Sequence, residues 1–232
     1  MGSLNRYQRA YRSLYRWASQ RLYRELAWAY EVVAWIVSLG RWDAWRRQVL
    51  DHVDDGDRVL EVGFGTGALL VAATQRELRV IGVDASRAMH RVAGRRLRRA
   101  GVAAPRVLAR AQALPFAAGS FDRVIATFPT DYIVDQRVLA EVTRLLVAEA
   151  RARESGRFVI TGIGFRTHRR WSRRFLGWVF GGGAEDSVEW YERFVSQLGF
   201  RVTVVDEPVG RVRVPVLILQ PGQQRNEGAV IE

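Results

Sequence analysis

Residues 58–67 read Arg58-Val59-Leu60-Glu61-Val62-Gly63-Phe64-Gly65-Thr66-Gly67. A short apolar strand runs straight into three glycines at alternate positions. Residues 79–84, Arg79-Val80-Ile81-Gly82-Val83-Asp84, repeat the strand and end on an acid. Glycines let the chain turn sharply after a strand and let a ligand approach without meeting a Cβ. A helix that starts there presents free N–H groups. An acid about twenty residues further on can accept hydrogen bonds from both hydroxyls of a ribose. The layout predicts a nucleoside-binding turn at the end of a strand. A glycine turn by itself also suits a purely structural role, so the flanking segments decide.

Outward from this turn, apolar runs predict strands at 58–62, 79–83, 105–109, 122–127, 157–162, 200–206 and 211–219. Helices are expected at 67–75, 86–100, 135–152 and 186–198, with a helical segment at 167–180. This alternation implies an α/β fold: a Rossmann-like, seven-stranded, mostly parallel sheet with helices on both faces. Glu207-Pro208-Val209-Gly210 reads as a hairpin link, which makes the last strand antiparallel. Tyr7, Tyr11, Leu14, Leu22, Leu26, Val33 and Ile36 recur at helical spacing, so 4–39 reads as helical, followed by a helix at 42–53. The organisation is then an N-terminal helical cap over 1–53, one domain over 54–220, and a flexible tail over 221–232.

Composition removes several chemistries. The 232 residues suit one elaborated domain, and the 48% apolar content suffices for a core. With no cysteine there is no disulfide, thiolate metal site or cysteine nucleophile. His52, His90 and His168 are scattered, so no histidine metal site is expected. The sequence shows no signal peptide and no apolar run long enough to span a membrane, so a cytoplasmic location is expected. All 36 basic residues are arginine and the net charge is +12. That balance attracts anionic partners, whether nucleic acid, acidic lipid or a phosphorylated substrate, without choosing among them.

Glu61-x-Gly63-x-Gly65-x-Gly67 resembles motif I of class I S-adenosylmethionine-dependent methyltransferases. Residues 112–125 contain Ala113-Leu114-Pro115-Phe116 and Ser120-Phe121-Asp122. They resemble the segment leading into the fourth strand of many small-molecule members. The resemblance covers residues 40–163 and the C-terminal strand pair. It implies S-adenosylmethionine as cofactor. By this resemblance Gly63, Gly65 and Gly67, with Phe64, cradle the methionine and ribose portions, and Glu61 orients the loop and the cofactor's amino end. Asp84, with Ala85 beside it, takes the ribose; its bland alternative is to cap the 86–100 helix, a job Ser86 also suits. Leu114, Pro115 and Phe116 would close the adenine side. Two departures stand out. Relatives carry an acid where this chain has Arg110, which cannot accept a hydrogen bond, leaving Ala111 and Gln112 as the polar contacts. The tight turn before strand five is replaced by a longer charged helix end.

Thr127-Phe128-Pro129-Thr130-Asp131-Tyr132 follows strand four, where class I enzymes place the methyl acceptor. Thr127 is a further cofactor contact by position. Asp131 and Tyr132 are the candidate general-base or substrate-orienting residues; alternatively Asp131 caps the next helix and Tyr132 packs. Residues 28–50 contain Ser38-x-Gly40 and Trp45-Arg46 and resemble the N-terminal region of ubiquinone/menaquinone biosynthesis methyltransferases and bacterial phospholipid N-methyltransferase relatives, where this stretch helps cover the acceptor pocket. The acceptor implied is small or lipid-like. Residues 165–180 interleave five arginines with large apolar groups, and with the N-terminus they suggest an anionic membrane surface as partner and a location peripheral to the membrane. The bland alternative is aromatics packed on the sheet with solvated arginines. An RNA methyltransferase is the rival enzyme, disfavoured because no RNA-binding module and no Asn/Asp-Pro-Pro-Tyr/Phe segment is present. A non-catalytic cofactor-binding protein is the rival outside enzymes. The sequence does not set the oligomeric state.

Overall fold

A computed structural model describes residues 42–146, 156–163, 184–209 and 212–222. The expected helices at 4–39 and 167–180, with the basic aromatic segments they carry, lie outside the described residues, as does most of the tail.

The chain enters through α1 (Trp42–Arg47), which tightens into a 3-10 turn at Gln48–His52. The sequence predicted one helix over 42–53; the tighter turn carries Val49 and Leu50 into full burial. Then follow β1 (Arg58–Val62), α2 (Ala68–Gln75), β2 (Arg79–Asp84), α3 (Arg87–Arg99), β3 (Arg106–Leu108), β4 (Arg123–Thr127), a 3-10 turn at Asp131–Val134 and α4 (Gln136–Leu145). β5 (Arg157–Thr161), α5 (Ala184–Gln197), β6 (Phe200–Val209) and β7 (Val212–Pro221) complete the described chain.

The seven strands lie in the order β3-β2-β1-β4-β5-β7-β6. β7 is antiparallel to both β5 and β6, while β1 to β5 pair in parallel. Alternation along each strand makes two cores, one per face. Leu60, Val62, Val124, Ala126, Phe158 and Ile160 pack with Val138, Leu139, Val142 and Leu145 of α4 and Val188, Tyr191 and Val195 of α5. Val59, Val80, Ile125 and Val159 pack with α2, α3 and the first 3-10 turn. Strands buried on both sides need apolar residues at nearly every position, which is how β1, β4 and β5 read.

Two boundaries differ from expectation. α4 stops at Leu145, inside the expected 135–152 helix, where Leu146 is extended and bridges Phe121; the rest of that span lies outside the described residues. Its terminal carbonyls are taken by the preceding loop: Gly119 N–H donates to Arg144 O and Phe121 N–H to Leu145 O. The hairpin link is also shorter than predicted. β6 runs through Pro208, paired with Arg213, to Val209. Pro208 is tolerated there because β6 is an edge strand, where a missing N–H need not break a ladder.

Candidate functional site

The parallel strands deliver Val62, Asp84, Leu108, Thr127 and Thr161 to one edge of the sheet. β1 lies between β2 and β4, so the chain leaves it toward both sides and opens a crevice at its carboxyl end.

The three glycines of the first turn all have positive φ: Gly63 +76°, Gly65 +53° and Gly67 +76°. Their reasons differ. A Cβ on Gly63 would lie 2.8 Å from the Tyr132 hydroxyl oxygen, and one on Gly67 would lie 2.7 Å from Ala93 Cβ of α3. A Cβ on Gly65 would meet nothing within 4 Å. Gly63 and Gly67 are therefore glycines for packing, and Gly65 alone of the three faces open space. Phe64 turns its ring into the core, edge-on to His90 at 4.8 Å and against Gly82. Only the Phe64 backbone is left to line the crevice.

Asp84 clamps the turn. Gly65 N–H donates to Asp84 Oδ2 at 2.9 Å, and Ser86 N–H donates to Oδ1 at 2.8 Å. Ser86, not Asp84, caps α3 by accepting from Met89 N–H. Burial raises the Asp84 carboxyl above its usual range, against these N–H bonds and the nearby His90. A carboxylate has about four lone-pair sites, so two remain. Ala85, beside it, is exposed.

Glu61 is the most buried acid of the site, at 1% exposure, between Gly82 of β2 and Ile125 of β4. Its Oε2 has no hydrogen-bond partner. Burial pushes its carboxyl up to about 8, with Arg46 opposing and Asp84 adding. A buried carboxyl oxygen without a partner is left to accept from, or donate to, a polar group brought to it.

Beyond β4, Phe128 has φ +48°, a strained conformation for a bulky residue. Its N–H donates to Thr161 O at 2.8 Å, its ring stacks on Trp42 at 3.8 Å, and it fills the space a Cβ on Gly162 would need. Trp42 thereby packs on the segment after β4; the sequence reading held it only as part of the 28–50 stretch that resembles a cover of the acceptor pocket. Tyr132 O–H donates to Val62 O at 3.0 Å, which brings its hydroxyl over the first glycine. Asp131 is exposed at the start of the 3-10 turn, and the cap of α4 is Asp135, which accepts from Arg137 N–H.

Gln112 donates through Nε2 to Asp135 at 3.1 Å. Arg110 is exposed and lends its carbonyl to a turn with Ala113 N–H; Ala111 is half-buried against the core. The expectation that Leu114 and Phe116 close the adenine side does not match the fold. Leu114 is buried in the core, and Phe116 packs edge-on to Phe121 at 5.1 Å. Phe116 shares a depression with Arg58 and Arg79, which open β1 and β2 at the opposite edge of the sheet. Among the described residues no group of acids or histidines is arranged to hold a metal.

A family model described as a methyltransferase domain matches residues 59–149. The demethylmenaquinone methyltransferase of Thermobifida fusca is 32% identical over 181 residues, 75% of this chain and 71% of that protein. The ubiquinone/menaquinone biosynthesis C-methyltransferase of Geotalea uraniireducens is 33% identical over 141 residues, 57% of this chain. That match spans 60% of the Geotalea protein, less than two thirds of its length. A SAM-dependent methyltransferase from Aquifex aeolicus shares the fold with a TM-score of 0.56 at 19% identity, covering 78% of this chain and 92% of that one. Glycine turn, strand order and relatives agree: this chain belongs to the S-adenosylmethionine-dependent methyltransferase family.

Proposed function

We propose that this chain transfers a methyl group from S-adenosylmethionine to a small or lipid-like hydrophobic acceptor. The observation that carries the reading is the open face of Gly65, whose N–H donates to the buried Asp84 carboxylate at the end of the neighbouring strand. These residues fit the donor. Asp84 retains lone pairs for ribose hydroxyls, Gly65 leaves room for backbone approach, and Glu61 suits the α-ammonium group. The backbones of Gly63, Phe64, Gly67 and Ala85 would complete the cradle, with Ala111, Gln112 and Thr127 on the adenine and methyl sides. When bound, S-adenosylmethionine supplies a methyl on a cationic sulfur that an acceptor atom displaces in line.

The protein's part is then alignment and exclusion of water. The stacked Trp42 and Phe128 rings offer an apolar wall for the acceptor. Tyr132 donates to Val62 O, which holds its hydroxyl at the first glycine, where it can orient a substrate. Asp131 supplies an exposed carboxylate that can take a proton if the acceptor must lose one. The names of the relatives, for demethylmenaquinone and for ubiquinone/menaquinone biosynthesis, favour a quinone-like acceptor.

Calorimetric titration with S-adenosylmethionine and S-adenosylhomocysteine tests the donor half, and micromolar binding of both is expected. Methyl transfer is then assayed on a demethylated naphthoquinol, a phospholipid and an RNA. Labelled naphthoquinol or lipid supports the acceptor class. Label on RNA alone would replace it, and binding without any product would favour a non-catalytic protein.

A further inference from the structure

Between Asp84 and Asp122 the chain carries eight arginines and no acid, although it holds 24 acids in all. Much of this stretch forms one flank of the molecule, made of α3 and of β3, the outermost strand of the sheet. Arg87, Arg91, Arg95, Arg98 and Arg99 of α3 are exposed. No ion pair among the described residues involves any of the five. Arg106 of β3 reaches α3 by donating to His90 O at 3.2 Å. Two residues on, Leu108 shares that face of β3 and is 45% exposed, at the carboxyl edge beside Asp84. The exposed Arg110 follows.

This charge pattern works against the helix that carries it. Arg87 and Arg91, Arg91 and Arg95, and Arg95 and Arg99 are like-charge neighbours four residues apart, which weaken a helix. Arg87 also sets a cation at the positive end of the helix dipole, with no acid in the first turn. The use of arginine in place of lysine throughout the chain does not account for this, since it exchanges one cation for another and removes no acid. Local rules broken along a solvent face, with no ion pair to offset them, point to a partner of opposite charge.

The flank's chemistry selects that partner. A guanidinium grips phosphate oxygens through two hydrogen bonds. Residues 85–115 contain no phenylalanine, tyrosine or tryptophan, so the flank offers no such ring for the bases of a single-stranded nucleic acid to stack on. Phosphates without bases are what an anionic bilayer presents. We propose that the α3–β3 flank docks this chain on anionic lipid, with the α3 arginines on headgroup phosphates and Leu108 at the interface beside the crevice. The choice of lipid rests on the proposed function, whose acceptor is lipid-like. Docking through this flank brings the crevice to the surface that holds such an acceptor, because α3 starts three residues after Asp84.

The test measures co-sedimentation of the full chain with vesicles of phosphatidylglycerol and phosphatidylcholine in equal parts, and with phosphatidylcholine alone. One variant combines Arg91→Gln, Arg95→Gln and Arg98→Gln. Its control combines Arg193→Gln, Arg201→Gln and Arg213→Gln, which removes the same charge from exposed positions toward the other end of the sheet. The α3 variant is expected to bind the anionic vesicles at least about tenfold more weakly than wild type, and the control within about threefold. Arg95→Gln alone, expected to weaken binding about threefold or more, carries the test if the triple variant does not fold. Equal weakening in the two triple variants would leave net charge as the whole cause and overturn the inference, as would wild-type binding that ignores the anionic lipid. A transfer RNA that loses affinity for the α3 variant, while vesicles do not, would give the flank to nucleic acid instead. Docking is read without donor or acceptor. A chain that docks yet methylates neither lipid nor naphthoquinol overturns the proposed function, whereas one that binds S-adenosylhomocysteine and does not dock overturns this inference alone.

Discussion

Burial holds the Glu61 carboxyl up at about 8, against an ordinary 4.5, with Arg46 of α1 opposing and Asp84 of β2 adding to the shift. Between those two values the folded chain keeps a proton that the unfolded chain has lost. The stability from this group is therefore complete below about pH 4.5 and is lost as pH rises through about 8. Glu61→Gln removes the titration. Melting temperatures of wild type and variant should diverge in favour of the variant between about pH 5 and pH 9. Parallel curves would mean that Glu61 ionises freely in the fold. The glycines make a second residue-scale prediction. Gly67→Ala combines a positive φ with a clash against Ala93 and should cost about 2–3 kcal/mol. Gly65→Ala meets no atom and should cost about 1 kcal/mol for its φ alone, yet it should weaken S-adenosylhomocysteine more than Gly67→Ala does among folded protein. Urea unfolding and calorimetry read the two effects separately, and variants that lose stability and affinity in step would refute the division of labour.

Elements hold the site through contacts that no local pattern announces. α4 grips the segment before β4: Arg144 donates to Phe116 O at 2.7 Å and to Leu114 O at 3.0 Å, and Glu141 accepts from Leu114 N–H at 2.8 Å. Arg144→Met leaves two carbonyls and Glu141 without this partner and should lower unfolding stability by roughly 1–2 kcal/mol. A loss under about 0.5 kcal/mol would show that water replaces the guanidinium. The same grip explains where the resemblance misleads. Leu-Pro-Phe reads as a pocket wall, but Phe116 is drawn toward Phe121 and away from the strand ends. Helix lengths were legible where capping is local, as at Ser86 before α3. They were not legible where loop N–H groups capture the last carbonyls, as at the end of α4.

For the whole molecule, the charge of +12 is the dominant long-range property. Co-sedimentation with vesicles rich in anionic lipid is expected at low salt and should fade toward about 0.5 M salt, as the screening length shrinks to a few ångströms. Equal recovery on neutral vesicles would exclude an electrostatic membrane partner. None of the described helices is long and apolar enough to cross a membrane. The fold was legible at this scale because its signals are local: apolar runs set the strands, glycines and acids mark their ends, and alternation with helices demands a parallel sheet. The turn at Gly63–Gly67 and the acid at Asp84 follow from the chain's own neighbours. By itself, then, the sequence determined the sheet, the glycine turn and the family. Only the tertiary structure decided which glycine is open, that Phe64 belongs to the core, that Tyr132 reaches Val62 across 70 residues, and that Glu61 is buried with its carboxyl pushed up. The reason is physical. Backbone conformation depends on near neighbours, whereas exposure, charge pairing and a raised carboxyl depend on which surfaces distant segments bury against each other.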